Sequence, residues 1–102
     1  MSSVTAYSQM VQAVVARAAW DEAYFSLLSL KMHLQSLPGW QGFDFWARDL
    51  DDDTIKLVAV SNWDYPDQLA LWLENGVTVD AVLRAVLPPP ISLQVDLYEE
   101  IA

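Results

Sequence analysis

The clearest pattern in the sequence lies near its C-terminus, where apolar and polar residues alternate from Ile91 to Tyr98. This period of two predicts a β-strand with one buried face, because successive side chains of a strand point to opposite sides. Pro88-Pro89-Pro90 stands directly before this segment and is expected to stop the preceding helix.

A looser alternation from Val4 to Val14 predicts another strand near the beginning of the chain. A helix is the alternative, because the apolar residues between Met10 and Ala18 also fit a 3.6-residue period. A single helix from Ser8 to Leu37 would span about 30 residues, which is long for a small globular protein. We therefore prefer a strand and a loop before the first helix.

The first helix is predicted from Trp20 or Asp21 to Leu37, with Asp21 as its capping residue. Pro38-Gly39 is expected to end it, since glycine is favoured just past the last turn of a helix. The apolar residues of this helix form one wide stripe that consists of Trp20, Ala23, Tyr24, Leu27, Leu28, Leu30, Leu34 and Leu37.

Two further strands are predicted over Trp40–Arg48 and Ile55–Trp63, and the polar segment between them, Asp49–Thr54, favours a hairpin. The second of these strands carries four apolar residues in a row, Leu57–Val60, so both of its faces are apolar. Both faces of the sheet should therefore be covered.

Asp64 and Pro66 predict the start of a second helix, with Asp64 as the cap and Pro66 in the first turn. This helix should end near Asn75-Gly76, and Thr78 is expected to cap a third helix.

The predicted order is strand, helix, strand, strand, helix, helix, strand. It indicates one α+β domain over residues 1–102 with a ferredoxin-like split βαβ arrangement, a four-stranded antiparallel sheet and helices on one face. The other face of such a sheet would be bare. Face-to-face pairing with the sheet of a second copy would cover it, so we expect a homodimer.

The composition narrows the range of partners. The chain carries 14 acidic and 5 basic residues, and its net charge is −9. This charge argues against nucleic acid and against anionic membrane surfaces as partners, because both are bound through Lys and Arg. We expect a small molecule instead, either neutral or apolar, or an anion that is held by one local cation.

The chain has no cysteine and one histidine. These counts exclude a disulfide, a thiolate nucleophile and a multi-histidine zinc site within one chain. We expect no metal, and no heme or flavin cofactor. No apolar segment approaches the length of a membrane span and the N-terminus lacks the features of a signal peptide, so we expect a cytoplasmic protein.

Three features together resemble the antibiotic biosynthesis monooxygenase family, whose fold is the dimeric α/β barrel. They are Leu37-Pro38-Gly39-Trp40 after the first helix, the hairpin, and Trp63-Asp64 followed by Leu69 and Trp72. The resemblance implies a small enzyme that inserts oxygen from O2 into a phenolic, polyketide-type substrate without a metal or flavin. The deprotonated substrate would itself supply the electron to oxygen.

The resemblance also implies site residues. Trp63 matches the tryptophan at the end of a strand in that family, and Arg84 falls where polyketide-type members carry an arginine in the third helix. These two are the candidate catalytic residues. Ala59 stands where the family has an asparagine, and Asn62 should point to the opposite face of its strand. His33 lies on the first helix, which does not match the histidine of heme-degrading relatives.

The candidate substrate-binding residues come from the predicted apolar faces. We expect a cavity between the helices and the sheet that is walled by Trp63, Phe43, Phe45, Tyr24 and Leu27. For each aromatic residue the alternative is ordinary core packing.

Lys31 and Trp72 complete the candidate set. Lys31 lies inside the apolar stripe and could act as a base, although its amine could equally extend to water. For Arg84 and His33 the alternative is a solvated surface position.

Two classes of function remain open at this point. The first is a cofactor-free enzyme that acts on an aromatic natural-product intermediate, either as a monooxygenase or as a cyclase or isomerase. The second is a non-catalytic protein of the same fold that binds a small ligand or serves as a scaffold.

Overall fold

A computed structural model describes residues 6–100 of the chain. In chain order, its elements are β1 (Ala6–Ala16), a 3-10 turn (Arg17–Ala19), α1 (Trp20–Leu34), β2 (Trp40–Asp49), β3 (Thr54–Trp63), α2 (Pro66–Asn75), α3 (Val79–Arg84) and β4 (Ser92–Glu100).

The four strands form one antiparallel sheet in the order β2-β3-β1-β4. Residues of β3 are alternately partly exposed and buried along its whole length, and the buried set faces the helices. This α+β, ferredoxin-like architecture confirms the predicted fold class. It also confirms that the segment before the first helix is a strand, although the strand ends at Ala16 and residues 4 and 5 lie outside the described part.

The hydrophobic core lies between this face of the sheet and the helices. It includes Val11 and Val15 of β1, Leu57 of β3, and Leu27 and Leu34 of α1, all of which are fully buried. Burying side chains of this size contributes about 1.5–3 kcal/mol each, so this layer holds the helices on the sheet.

The opposite face of the sheet, which we call the open face, carries apolar side chains that nothing in the described chain covers. Val58 and Val60 of β3 and Met10 of β1 are partly exposed there, and Trp46 of β2 is 58% exposed. Tyr98 lies on the same face, because its register partner is Ser8. Exposed apolar surface of this kind is typical of a contact with another protein surface.

Two helix starts differ from the prediction. α1 follows a 3-10 turn, so Asp21 lies in its first turn rather than at its cap, and the helix ends at Leu34 instead of Leu37. Asp64 does not cap α2, whose capping position is Tyr65. Asp64 instead donates its backbone N–H to the Gly39 carbonyl at 2.8 Å, and its carboxylate accepts a hydrogen bond from Gln41. It therefore connects the end of β3 to the turn that opens β2.

The predicted cap of α3 is confirmed. The Thr78 side chain accepts a hydrogen bond from the backbone N–H of Ala81 at 3.4 Å. This bond satisfies one of the four backbone donors that lack a partner within a helix.

The hairpin between β2 and β3 is closed by one carboxylate. Asp51 Oδ1 accepts hydrogen bonds from the Asp53 N–H at 2.9 Å, the Thr54 N–H at 2.8 Å and the Thr54 hydroxyl at 2.9 Å. The bond from the Asp53 backbone contributes most to lowering the pKa of Asp51 below its usual value of 3.8. Arg17 reaches the same turn and pairs with Asp49 at 2.6 Å.

We expect Asp51→Ala to lower the melting temperature, because it removes the acceptor of three hydrogen bonds in the turn. Asp52→Ala is the matched control, since the carboxylate of this neighbouring aspartate makes no hydrogen bond in the described structure and its backbone carbonyl, which accepts from Arg17, is retained. This variant should leave the melting temperature nearly unchanged. Because the folded-state pKa of Asp51 is lowered, its stabilisation is present above the unfolded value of 3.8 and is lost as the pH falls below it. The difference between the two variants should therefore shrink at low pH. An equal effect of the two substitutions at pH 7 would contradict this role.

Candidate functional site

A cavity of about 280 Å³ lies where the C-terminal end of α1 meets the end of β3 and one face of α2. Its walls are mostly apolar, which suits a small organic ligand. The residues that line it are His33, Leu37, Pro38, Trp63, Gln68, Leu71, Trp72, Asn75 and Gly76.

Two tryptophans form the inner wall of this cavity, which we call the tryptophan cavity. The rings of Trp63 and Trp72 are stacked, with their centroids 5.2 Å apart and their planes inclined by 28°. Both side chains are buried, at 1% and 3% exposure. The Trp72 indole N–H donates to the Val77 carbonyl at 2.9 Å, which fixes the ring against the loop after α2.

Two residues that line the tryptophan cavity each carry a buried polar atom without a hydrogen-bond partner among the described residues. These atoms are the indole nitrogen of Trp63 and the side-chain oxygen of Gln68. Gln68 is packed against the turn before β2, because a Cβ built at Gly39 would lie 1.5 Å from its Oε1. A buried polar group without a partner costs about 1–3 kcal/mol, so a ligand that supplied an acceptor and a donor would be favoured here.

A second pair of buried polar groups lies one row further into the sheet from Trp63. Gln9 of β1 and Ser61 of β3 are register partners, and both are buried. Gln9 Oε1 and Ser61 Oγ lack a hydrogen-bond partner within residues 6–100. The helix-facing side of the sheet is therefore more polar near Trp63 than in the rest of the core.

His33 is the one ionisable side chain among the described residues that line the tryptophan cavity. It lies in the last turn of α1 and is exposed. The cavity thus offers aromatic surface, amide groups from Gln68 and Asn75, and a single group that can take up a proton.

A second, more open cavity of about 540 Å³ runs between α1 and α3; we call it the α1–α3 groove. It is lined by Phe25, Ser26, Ser29, Leu30, His33, Val77, Val82 and Ala85. His33 therefore contributes to both cavities.

The structure separates the residues for which the sequence predicted one common cavity. Trp63 and Trp72 line the tryptophan cavity, whereas Tyr24, Phe43 and Phe45 form a cluster of edge-to-face pairs with centroid separations of 6.0 and 5.8 Å.

Leu27 and Phe43 are both core residues, at 0% and 1% exposure. The register explains the separation of the aromatic residues. Phe43 lies opposite Ser61, and Trp40 is the residue opposite Trp63.

Lys31 and Arg84 are placed away from the tryptophan cavity. Lys31 is partly exposed on α1. Arg84 lies on the exposed side of α3, where its guanidinium pairs with Asp80 at 2.9 Å, and its side chain is 63% exposed. An exposed pair of this kind contributes little to stability, so the position of Arg84 fits the surface alternative.

Asn62 lies on the open face, as its position in the strand predicts. Its side-chain oxygen accepts a hydrogen bond from the Ser8 hydroxyl on the neighbouring strand. Ala59, at the position of the family's asparagine, is buried on the helix-facing side and offers no polar group. Trp63 and Ala59 share this face with Ser61.

Sequence reasoning found Trp72 but missed the other residues that the helices contribute to the tryptophan cavity. Gln68, Leu71, Trp72 and Asn75 are spaced as one face of α2, and this spacing is a signal that could have been found. His33 is exposed, as the surface alternative predicts, and it also lines the tryptophan cavity. Its place at the cavity depends on how α2 crosses the end of α1.

Within residues 6–100, no cluster of three His, Asp or Glu side chains could hold a metal ion. In the same part of the chain, every helix is too short or too polar to cross a membrane.

No protein-family model and no curated protein matches the sequence. Solved structures do match the fold. A Nitrosomonas europaea protein that carries the name antibiotic biosynthesis monooxygenase is 19% identical, with a TM-score of 0.71 over 96% of this chain and 92% of that chain.

Two further structures add to this comparison. SnoaB, a cofactor-independent oxygenase from Streptomyces nogalater, is 16% identical, with a TM-score of 0.63 over 90% of each chain. A dimeric protein of unknown function and ferredoxin-like fold from Bacteroides fragilis is 15% identical, with a TM-score of 0.58 over 93% of this chain and 96% of that chain. The chain therefore has the fold of the antibiotic biosynthesis monooxygenases, as the sequence motifs predicted.

Proposed function

We propose that this protein is a cofactor-independent enzyme of the monooxygenase type that acts on a small aromatic molecule bound in the tryptophan cavity. The observation that carries the proposal is the stacked Trp63–Trp72 pair on the wall of that cavity. An aromatic ligand would extend this stack, and aromatic pairs contribute about 0.5–1.5 kcal/mol beyond the area that they bury.

The size of the cavity limits the substrate. A cavity of about 150 Å³ is enough to hold benzene. The tryptophan cavity has about 280 Å³, so it suits one substituted ring or two fused rings. We propose a phenolic, polyketide-type intermediate of that size, whose oxygen would accept a hydrogen bond from the unpaired Trp63 indole N–H.

The proposed reaction needs a group that takes the phenolic proton. His33 is the candidate, because it is the ionisable side chain among the described lining residues. The phenolate would pass one electron to O2, and the two radicals would combine at the ring carbon para to the oxygen. Loss of water would then give a quinone, so that one oxygen atom enters the product and the other leaves as water. Similarity to a cofactor-independent oxygenase supports this class of reaction.

Ala59 favours a second candidate function. It leaves the helix-facing side of β3 without the asparagine that the family resemblance implies, and Asn62 is turned to the open face. A cyclase or isomerase that uses only the shape of the cavity, or a protein that only binds the aromatic ligand, would not need that group.

We further propose that the protein acts as a homodimer joined through the open face. Trp46 on the edge strand β2 and Tyr98 on the edge strand β4 are half exposed there, and Val58 and Val60 lie on β3 between these two edges. Similarity to a dimeric protein of ferredoxin-like fold supports this arrangement.

1-Naphthol is a suitable probe, because it has two fused rings, one hydroxyl and a free para position. We expect it to quench the tryptophan fluorescence of the wild-type protein and to be oxidised with uptake of O2 in a buffer that contains EDTA. His33→Ala should bind 1-naphthol but lose at least about 100-fold in O2 uptake, the typical contribution of a general base. Met32→Ala is the matched control, since Met32 is the neighbouring residue on α1 and is 72% exposed.

The outcomes separate the candidates. Binding without O2 uptake in the wild-type protein would favour the cyclase, isomerase or binding protein over the oxygenase. Absence of any binding of 1-naphthol would overturn the proposed cavity. Equal O2 uptake by His33→Ala and Met32→Ala would remove His33 from the reaction.

A further inference from the structure

The tryptophan cavity and the α1–α3 groove are neighbours that share one thin wall. His33 lines both of them. The rest of the wall is the loop after α2, where Gly76 lines the tryptophan cavity and the next residue, Val77, lines the groove. The backbone of Gly76 lies directly on Trp72, because a Cβ built there would be 2.4 Å from the ring carbon Cδ1. The wall is therefore one side chain and one loop segment thick.

We propose that the two cavities are compartments of one binding site, and that its ligand is an aromatic ring system with an apolar chain. The rings would occupy the tryptophan cavity, and the chain would pass His33 and lie in the α1–α3 groove. This inference rests on the function proposed above and extends it from a small aromatic molecule to an aromatic molecule of elongated, amphiphilic shape.

The residues that line the α1–α3 groove determine which kind of ligand chain it can bind. Its described lining is apolar except for Ser26, Ser29 and His33, and it includes no acidic residue, lysine or arginine. Phe25 and Val77 are 65% and 54% exposed there, so a chain would cover apolar surface that is now in water. Such a groove favours a neutral alkyl or polyene chain over a charged one, because an unpaired charge on this surface would lose hydration without gaining a partner.

A hydrogen bond also connects the wall to the tryptophan cavity. The Trp72 indole N–H donates to the Val77 carbonyl at 2.9 Å, so the loop that separates the compartments is tied to the tryptophan stack. A ligand that spans both compartments would contact the two sides of this bond. This continuity is the reason for assigning the groove to the same ligand instead of to a separate partner.

The test compares 1-naphthol with a 1-naphthol that carries a hexyl chain on its second ring, by isothermal titration calorimetry. Burying one methylene strengthens binding about fourfold, so burial of two methylenes is enough for a gain of about tenfold or more. We expect that gain in the wild-type protein. Ser29→Trp fills the groove from α1 and Ala85→Trp fills it from the α3 side, and each should reduce the gain to less than about twofold. Met32→Trp, an exposed position on α1 outside the groove lining, should keep the full gain.

Each other outcome contradicts the inference in a distinct way. If the wild-type protein binds 1-naphthol without any gain from the chain, the two compartments are not one site, while the proposed function stands. If it binds neither compound, the proposed function fails as well. If Ser29→Trp and Ala85→Trp keep the gain, or alter the oligomeric state instead, the groove serves another occupant, such as a second copy of the chain.

Discussion

Val60→Asp is expected to convert the proposed dimer into monomers. Val60 lies on the open face, opposite Met10 of β1 and Asp44 of β2, and is partly exposed. In a two-fold dimer both copies would bring one new carboxylate into the contact. An unpaired buried charge costs about 3–5 kcal/mol, so the dissociation constant should rise at least about 100-fold.

The charges on the open face fit such a pairing. Residues that are register partners form rows across the four strands of the sheet. One such row has an acidic residue at each edge, Asp44 and Asp96, and a row four residues further along the strands contains Arg48 and Lys56. A two-fold axis along the row between them, which contains Val58, would set the acidic row of one copy opposite the basic row of the other. The pairing would also bury Trp46 of both copies.

Light scattering or sedimentation at micromolar concentration measures this effect. Met32→Asp is the control, because it introduces the same charge at an exposed apolar position on the helix side, and it should leave the dimer intact. A wild-type protein that is monomeric at these concentrations would contradict the proposed dimer. A Val60→Asp variant that remains dimeric would show that another surface is used.

Trp63→Ala is expected to have the largest effect on stability. Its side chain is 1% exposed and stacks on Trp72, so the substitution removes both the buried ring and its aromatic partner contact. A change of this kind costs about 3–5 kcal/mol. Domains of this size are stable by only about 5–15 kcal/mol, and we therefore expect the melting temperature to fall by about 15 °C or more.

Thermal unfolding followed by circular dichroism checks this prediction. Phe25→Ala is the matched control, because it also removes an aromatic ring but from a side chain that is 65% exposed, and its effect should be small. A similar loss of stability in both variants would mean that Trp63 is not an essential part of the core. Trp63→Phe should recover part of the stability while it removes the unpaired indole N–H, so its effect on 1-naphthol binding reports the role of that group.

The order and type of the elements were predictable from the sequence, because they depend on local patterns. The alternation from Ile91 onward predicted β4, which begins at Ser92, and the apolar residues on both faces of β3 became one buried row and one row on the open face. The buried face predicted for β4 is wrong, because Val95 and Leu97 are 38% and 58% exposed at the edge of the sheet. Thr78 caps α3 as predicted. A period of two is sufficient to fix which residues share a face of a strand. A single side chain within hydrogen-bond reach of its own helix is sufficient to fix a helix cap.

The helix starts were less predictable, because one side chain can have competing partners. Asp64 has the right spacing to cap α2, but its carboxylate accepts from Gln41 and its N–H reaches Gly39. These partners lie more than twenty residues away along the chain, so no local pattern indicates them. Asp21 does not cap α1, because the 3-10 turn of Arg17–Ala19 continues directly into this helix.

By itself, the sequence determined the order and type of the elements and the position of Trp63 at the end of β3. The tertiary structure decided which of these residues meet. Trp63 stacks on Trp72 because α2 packs over the end of β3, whereas the register sets Phe43 opposite Ser61. His33 reaches the cavity for a similar reason, since the end of α1 lies beside α2. Side-chain parity is a property of a few consecutive residues, whereas the position at which a helix crosses a sheet depends on the packing of all the elements together.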